Sequence, residues 1–175
     1  APCSIGVDEV RKSLPRDAAL VEFFRFEEIA KEEPHEFRYS AVLITSDKPP
    51  VYIPLAPASV VDTAIDQYRD IINSATSGPL NDTKSLSQFH EVEATLYESI
   101  VAPVEKYLAG KKTLILSPGD KLDFLPVSFL RDGEGTMLLS KYNVRYVTTG
   151  RDLLAPAAAP ASQQPRALLV GNALF

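Results

Sequence analysis

The side chains in this sequence that could carry a covalent or proton-transfer step are Cys3, His35, His90 and Ser117. A thiol or hydroxyl becomes a nucleophile when a base such as histidine stands within hydrogen-bonding reach. Cys3 lies in Ala1-Pro2-Cys3-Ser4, where little lowers a thiol pKa or holds it in place, and reads as inert. His90 is followed by Glu91-Val92-Glu93-Ala94, so it forms no His-Glu-x-x-His motif, and His35 sits in an acidic stretch; both read as surface histidines. Ser117, in Leu116-Ser117-Pro118-Gly119-Asp120, follows an apolar run as a nucleophile turn does. The flanking Gly-x-Ser-x-Gly residues are absent, and Pro118 removes the next N–H, an oxyanion donor in such turns. A turn capped by the Ser117 and Asp120 side chains is the better reading, with a small serine hydrolase as the lesser alternative. The pairs Glu27/Glu28 and Glu32/Glu33 read as a solvated loop, Gly133-Glu134-Gly135 lacks the third glycine of a dinucleotide fingerprint, and Asn81-Asp82-Thr83 is a formal sequon without a visible secretory signal. No catalytic, cofactor-binding or metal-binding residue is assigned from the residues themselves.

The elements that must hold these residues follow from hydrophobic periodicity. Val7, Val10 and Leu14 share one face of a helix over 4–14, closed by Pro15 and Asp17. A strand over 19–26 is apolar on both faces, the mark of a strand covered on both sides. Residues 27–36 read as a loop, 37–45 and 51–55 as a hairpin, with Pro54 placing the second strand at an edge. Two helices follow. Ser59 caps the first, whose stripe is Val60, Val61, Ala64, Ile65, Tyr68, Ile71 and Ile72; the second runs from near Ser85 to Gly110 and is kinked or restarted at Pro103. Residues 113–116 read as a buried central strand reached by a parallel crossover. Residues 122–130 are irregular and apolar, 136–139 and 142–147 extended, 155–165 an exposed Pro/Ala/Gln linker, and 167–170 one further buried strand.

Composition bounds the class. The chain has 175 residues, 45% apolar and 23% charged, as an ordinary globular domain does. Its net charge of -5 argues against a nucleic-acid or anionic-membrane surface as its main business. One cysteine excludes an internal disulfide. No apolar run reaches the roughly 20 residues of a membrane span. The only methionine is Met137, so the chain reads as a piece of a longer polypeptide.

Several blocks together resemble the amino-terminal half of a CHAT domain, the caspase- and separase-like domain often attached to tetratricopeptide repeats. Leu14-Pro15-Arg16-Asp17-Ala18-Ala19-Leu20-Val21-Glu22-Phe23 is similar to the opening of that family, and Arg38-Tyr39-Ser40-Ala41-Val42-Leu43 to its second strand. Leu96-Tyr97 with Ala102-Pro103-Val104 resembles its Leu-Tyr…Leu-Ala-Pro-Leu helix. Leu114 to Leu122, continuing through Leu125-Pro126-Val127, is similar to the family's Ser-Pro-Asp-Gly…Leu-Pro-Phe block, with the turn pair inverted to Gly119-Asp120. Leu138-Leu139, Tyr142, Val144, Tyr146 and Leu153 match the next block, and Gly171-Asn172-Ala173-Leu174-Phe175 resembles the Val-Gly-Asn-Pro-x-Phe strand exit.

The resemblance implies an α/β fold: a caspase-like mixed sheet flanked by helices, incomplete here, with 1–175 forming the amino-terminal, pseudo-protease portion. The family's His–Cys dyad belongs to motifs carboxy-terminal to the Gly-Asn-x-x-Phe block, so no catalytic residue carries over to this chain. Ser117, Pro118, Gly119, Asp120, Leu125, Pro126, Tyr142, Tyr146, Gly171, Asn172 and Phe175 are expected to be structural. No cofactor is implied. The expected partners are the carboxy-terminal catalytic half of the same protein, a tetratricopeptide or other sensor module, and a second copy of the chain; nucleic acid and membrane are not expected, and a cytoplasmic location is. The alternative is an interaction module of a catalytically inactive CHAT protein.

Overall fold

A computed structural model describes residues 6–28, 36–76 and 83–154. Cys3, His35, the linker over 155–165, the strand expected over 167–170, and Gly171, Asn172 and Phe175 lie outside the described residues. The elements are α1 (Val7–Ser13), β1 (Ala18–Glu28), β2 (Glu36–Ile44), β3 (Val51–Pro57), α2 (Ala58–Thr76), α3 (Thr83–Leu96), a π-helical turn (Tyr97–Val101), α4 (Ala102–Glu105), β4 (Thr113–Ser117), α5 (Leu138–Lys141) and β5 (Asn143–Tyr146). Turns of 3₁₀-helix occupy Asp120–Phe124, Val127–Phe129 and Gly150–Leu154.

The five strands form one mixed sheet in the order β3-β2-β1-β4-β5. β1 pairs antiparallel with β2 and parallel with β4, which is itself parallel to β5. The expected crossover therefore exists, and Ala18 meets Thr113 across it. β3 is an edge strand, where Pro54 needs no partner for the donor it lacks.

β1 explains the layering. Ala19, Val21 and Phe23 enter a core covered by α2, α3, the π-helical turn and α4. Ala18 and Leu20, on the opposite face, pack with Val10 and Leu14 of the α1 region and with Leu153 and Leu154 of the last turn. Both faces are thus covered, as the unbroken apolar run predicts. Fully burying a side chain of the size of Leu20 contributes about 1.5–3 kcal/mol.

The helix pattern holds with local differences. Val61, Ala64, Ile65 and Tyr68 are buried, whereas Val60, Ile72 and Leu86 are exposed at the edges of their stripes. α2 begins at Ala58, directly after β3, so Ser59 falls inside its first turn rather than at the cap. Pro103 has no N–H and crowds the carbonyl four residues back. The chain answers with a π-helical turn, in which the Ala102 N–H donates to the Tyr97 carbonyl, and α4 then restarts with Pro103 in its first turn.

Three further readings are corrected. β1 runs on to Glu28 and pairs it with Glu36, so both ends of the stretch expected to be a loop are strand. The segment 136–139 is not a strand: Met137 makes only an isolated bridge with Arg131, and Leu138 starts a single helical turn, its N–H bonded to the Leu130 carbonyl and its side chain in the core. Ser117 does not cap its own turn, as described next.

Candidate functional site

The carboxyl ends of β4 and β5 open onto a crevice of about 730 Å³ lined by Pro118, Asp123, Tyr146, Val147, Thr148 and Asp152. In open α/β sheets this end of parallel strands is where ligands bind. The buried Ser117 hydroxyl donates to the Thr148 carbonyl at 2.8 Å and so joins the β4 exit to the β5 exit. Pro118 forms one wall. Gly119 passes so close to β1 that a Cβ there would lie 2.9 Å from the Phe23 carbonyl oxygen. Asp120 is left-handed, with φ 56°. That conformation is free for glycine and tolerated by aspartate, so the inverted Gly119-Asp120 pair gives the close approach to the glycine and the left-handed residue to the aspartate.

The opposite lip is the turn over 148–154. Asp152 accepts from the Thr148 and Thr149 N–H groups at 3.0 and 3.1 Å, an acidic residue three positions after Thr149 reaching back as in a capping box. Glu22 of β1 accepts from the Gly150 N–H at 2.7 Å. These contacts fix the turn against the sheet, with Gly150 buried over Leu20 and Val10.

Below the crevice, Tyr146 is half exposed, and its hydroxyl accepts from the Ser128 N–H at 3.0 Å. Leu125 is buried in the core; Pro126 instead lines a separate shallow groove with Tyr68, Ile72 and Phe124. Tyr142 packs against the core, and burial, followed by the Glu105 carboxylate, raises its pKa. Beside it an ionic cluster clamps α5 to α4. Lys141 Nζ lies 2.8 Å from Asp132 Oδ2, 3.1 Å from Glu105 Oε1 and 3.2 Å from the Tyr97 hydroxyl, which itself donates to Glu105. Partial burial works against the Lys141 charge, but its contacts with Asp132, Tyr97 and Glu105 outweigh that and hold its pKa above the usual range. Burial and the Glu105 hydrogen bond push Tyr97 up to about 12. Asp132 is held below the usual carboxylate range by Lys141 and by the Thr136 and Glu134 amides.

Of the residues singled out in the sequence, Ser117, Pro118, Gly119, Asp120 and Tyr146 gather at the crevice end of the sheet; Leu125, Pro126 and Tyr142 do not. His90 is exposed on α3, its ring 6.1 Å from that of Phe89. Sequence reasoning missed Asp123, Glu22 and Asp152. Only Asp152 carried a local signal, Thr149-Gly150-Arg151-Asp152, which has the spacing of an N-terminal cap. No group of His, Cys, Asp or Glu among the described residues is placed to hold a metal ion. No helix among them is long and apolar enough to cross a membrane.

A mixed sheet with helices on both faces and a crevice at the ends of its parallel strands defines an α/β domain. Residues 90–175 match the family model of the CHAT domain, a caspase-like, protease-related family, which bears out the resemblance over this stretch. No curated protein matches the chain. The blocks at Leu14 to Phe23 and Arg38 to Leu43 precede the matched stretch. The sheet nonetheless joins them to it, because β4 is flanked by β1 on one side and β5 on the other.

Proposed function

We propose that this chain is the non-catalytic scaffold portion of a caspase-like cysteine protease of the CHAT type, lying amino-terminal to a catalytic portion that carries the His–Cys pair. The observation that carries this reading is the state of Ser117. Its hydroxyl is spent on the Thr148 carbonyl, the next residue is a proline without an N–H, and His90 projects from the exposed side of α3. A nucleophile needs a base in reach and an oxyanion donor, and the family match supplies the protease context. The rigid end of β4 and β5, braced by Glu22 and Asp152, serves as the platform against which the catalytic portion, a substrate segment or a tetratricopeptide-type sensor rests. A cytoplasmic setting and independence from nucleic acid and membranes belong to the same proposal.

The test is a peptidase assay on an unfolded protein substrate, with the 175-residue chain alone and mixed with the adjoining carboxy-terminal polypeptide of its reading frame. No cleavage alone and cleavage on mixing is the expected result. Binding without cleavage on mixing would favour the interaction module. Cleavage by the chain alone that Ser117→Ala abolishes would overturn the scaffold reading in favour of the serine hydrolase.

A further inference from the structure

At the end of the sheet opposite the crevice, a pocket of about 560 Å³ lies between the α1–β1 connection and the turn after β2, lined by Lys12, Leu14, Arg16, Ser46 and Asp47. Its charge balance is unlike that of the chain as a whole, which is net -5. The carboxylate of Asp47 is already matched: Lys111 Nζ, on a side chain only 8% exposed, sits 2.9 Å from Asp47 Oδ1 and also donates to the Arg16 carbonyl at 2.7 Å. That contact holds the Asp47 pKa down. Lys12 and Arg16 have no ion-pair partner among the described residues, so two cations remain unbalanced around one concavity. The Ser46 hydroxyl oxygen is shielded from solvent and has no hydrogen-bond partner among the described residues, an arrangement that costs stability unless a partner is supplied.

We propose that this pocket is a phosphate-binding site, taking a single phosphate as the free ion or as a monoester. Arginine and lysine suit a tetrahedral oxyanion, the first by its planar fork and the second as a point charge. Rotation of Ser46 about χ1 to another staggered position gives its unpaired hydroxyl a place on the same anion. Leu14, itself buried, adds an apolar side chain to the lining. The net acidity of the chain favours one phosphate over a polyanion, which would need a basic surface much wider than this pocket. The proposal stands apart from the protease reading and does not depend on it.

The test is titration of the full 175-residue chain with inorganic phosphate and, separately, with a phosphoserine peptide, following backbone amide resonances against sodium chloride at matched ionic strength. Saturable shifts confined to the amides around 12–16 and 46–48, with either ligand, are expected, and the tighter ligand names the source of the phosphate. The double variant Lys12→Gln/Arg16→Gln, both exposed positions, should lose the shifts while keeping the wild-type spectrum elsewhere; Ser46→Ala should weaken binding with both cations in place. Shifts that do not saturate, that chloride reproduces, or that persist in the double variant overturn the proposal.

Discussion

Replacing Gly150 by alanine tests whether the last described turn is packed into the sheet. The added Cβ would lie 2.6 Å from Leu20 Cδ2 and 3.2 Å from both Val10 Cγ1 and Glu22 Oε1. Leu20 is fully buried, so it has no solvent side to move into. Overpacking of this kind costs about 1–3 kcal/mol. Against that, alanine reduces the freedom of the unfolded chain, which contributes about 0.4–1 kcal/mol of stability where the backbone is compatible. The net expectation for Gly150→Ala is a loss of about 1–2 kcal/mol, which for a chain of this length lowers Tm by about 2–8 °C. Gly133→Ala is the matched control: the same chemical change, at a position where a Cβ meets nothing within 4 Å. It should leave Tm unchanged or raise it by about 1–4 °C. Thermal unfolding followed by circular dichroism on both variants and the wild type is sufficient, provided that a second probe gives the same midpoint. A Gly150→Ala protein as stable as the wild type would refute the packing of the 150–154 turn over Leu20, and with it the bracing of the crevice lip.

Other outcomes follow from the same geometry. Gly119→Ala should destabilise the β4 exit, since its Cβ meets a backbone oxygen that no rotamer change can move; Asp120→Gly should instead stabilise it by up to about 1 kcal/mol by relieving the left-handed position, both read from urea midpoints. Ser117→Ala strands the Thr148 carbonyl and should cost about 1–3 kcal/mol in the same assay, with no change in any peptidase reading. Tyr97 keeps its proton in the folded state up to about 12, whereas in the unfolded chain it loses it near its ordinary value of about 10. Its contribution is therefore complete below the unfolded pKa and is lost as pH rises through the folded one. Urea midpoints should fall across that alkaline window, and Tyr97→Phe should flatten the fall.

What was legible in the sequence was local. The run Ala18-Ala19-Leu20-Val21 announces a strand covered on both faces, the spacing of Val61, Ala64, Ile65 and Tyr68 announces a helix, and Pro103 announces the break that the π-helical turn accommodates. What was not legible depends on partners far away in the chain. Ser117 looked like a turn cap because its acceptor, Thr148, lies 31 residues on. Leu138 looked like part of a strand because nothing nearby shows that Leu130 will draw it into the core. The ionic cluster joins Tyr97, Glu105, Asp132 and Lys141 from three helical segments and a turn, and each alone resembles a solvated surface residue. At the crevice, Gly119 and Asp120 were visible as a turn, but their separate roles emerge only once β1 lies alongside.

The position of β1 between an antiparallel and a parallel neighbour bears on how the chain is made. Its β2 side can zip up as soon as the hairpin leaves the ribosome. Its other side waits for Thr113, 95 residues after Ala18, which at about 5–20 residues per second is a delay of about 5–20 s. For that interval Ala18 to Glu22 present an open backbone ladder, the kind of template on which nascent chains stick to one another. Slow decoding between residues 45 and 110 should therefore lower soluble yield, and an early-binding chaperone should restore it.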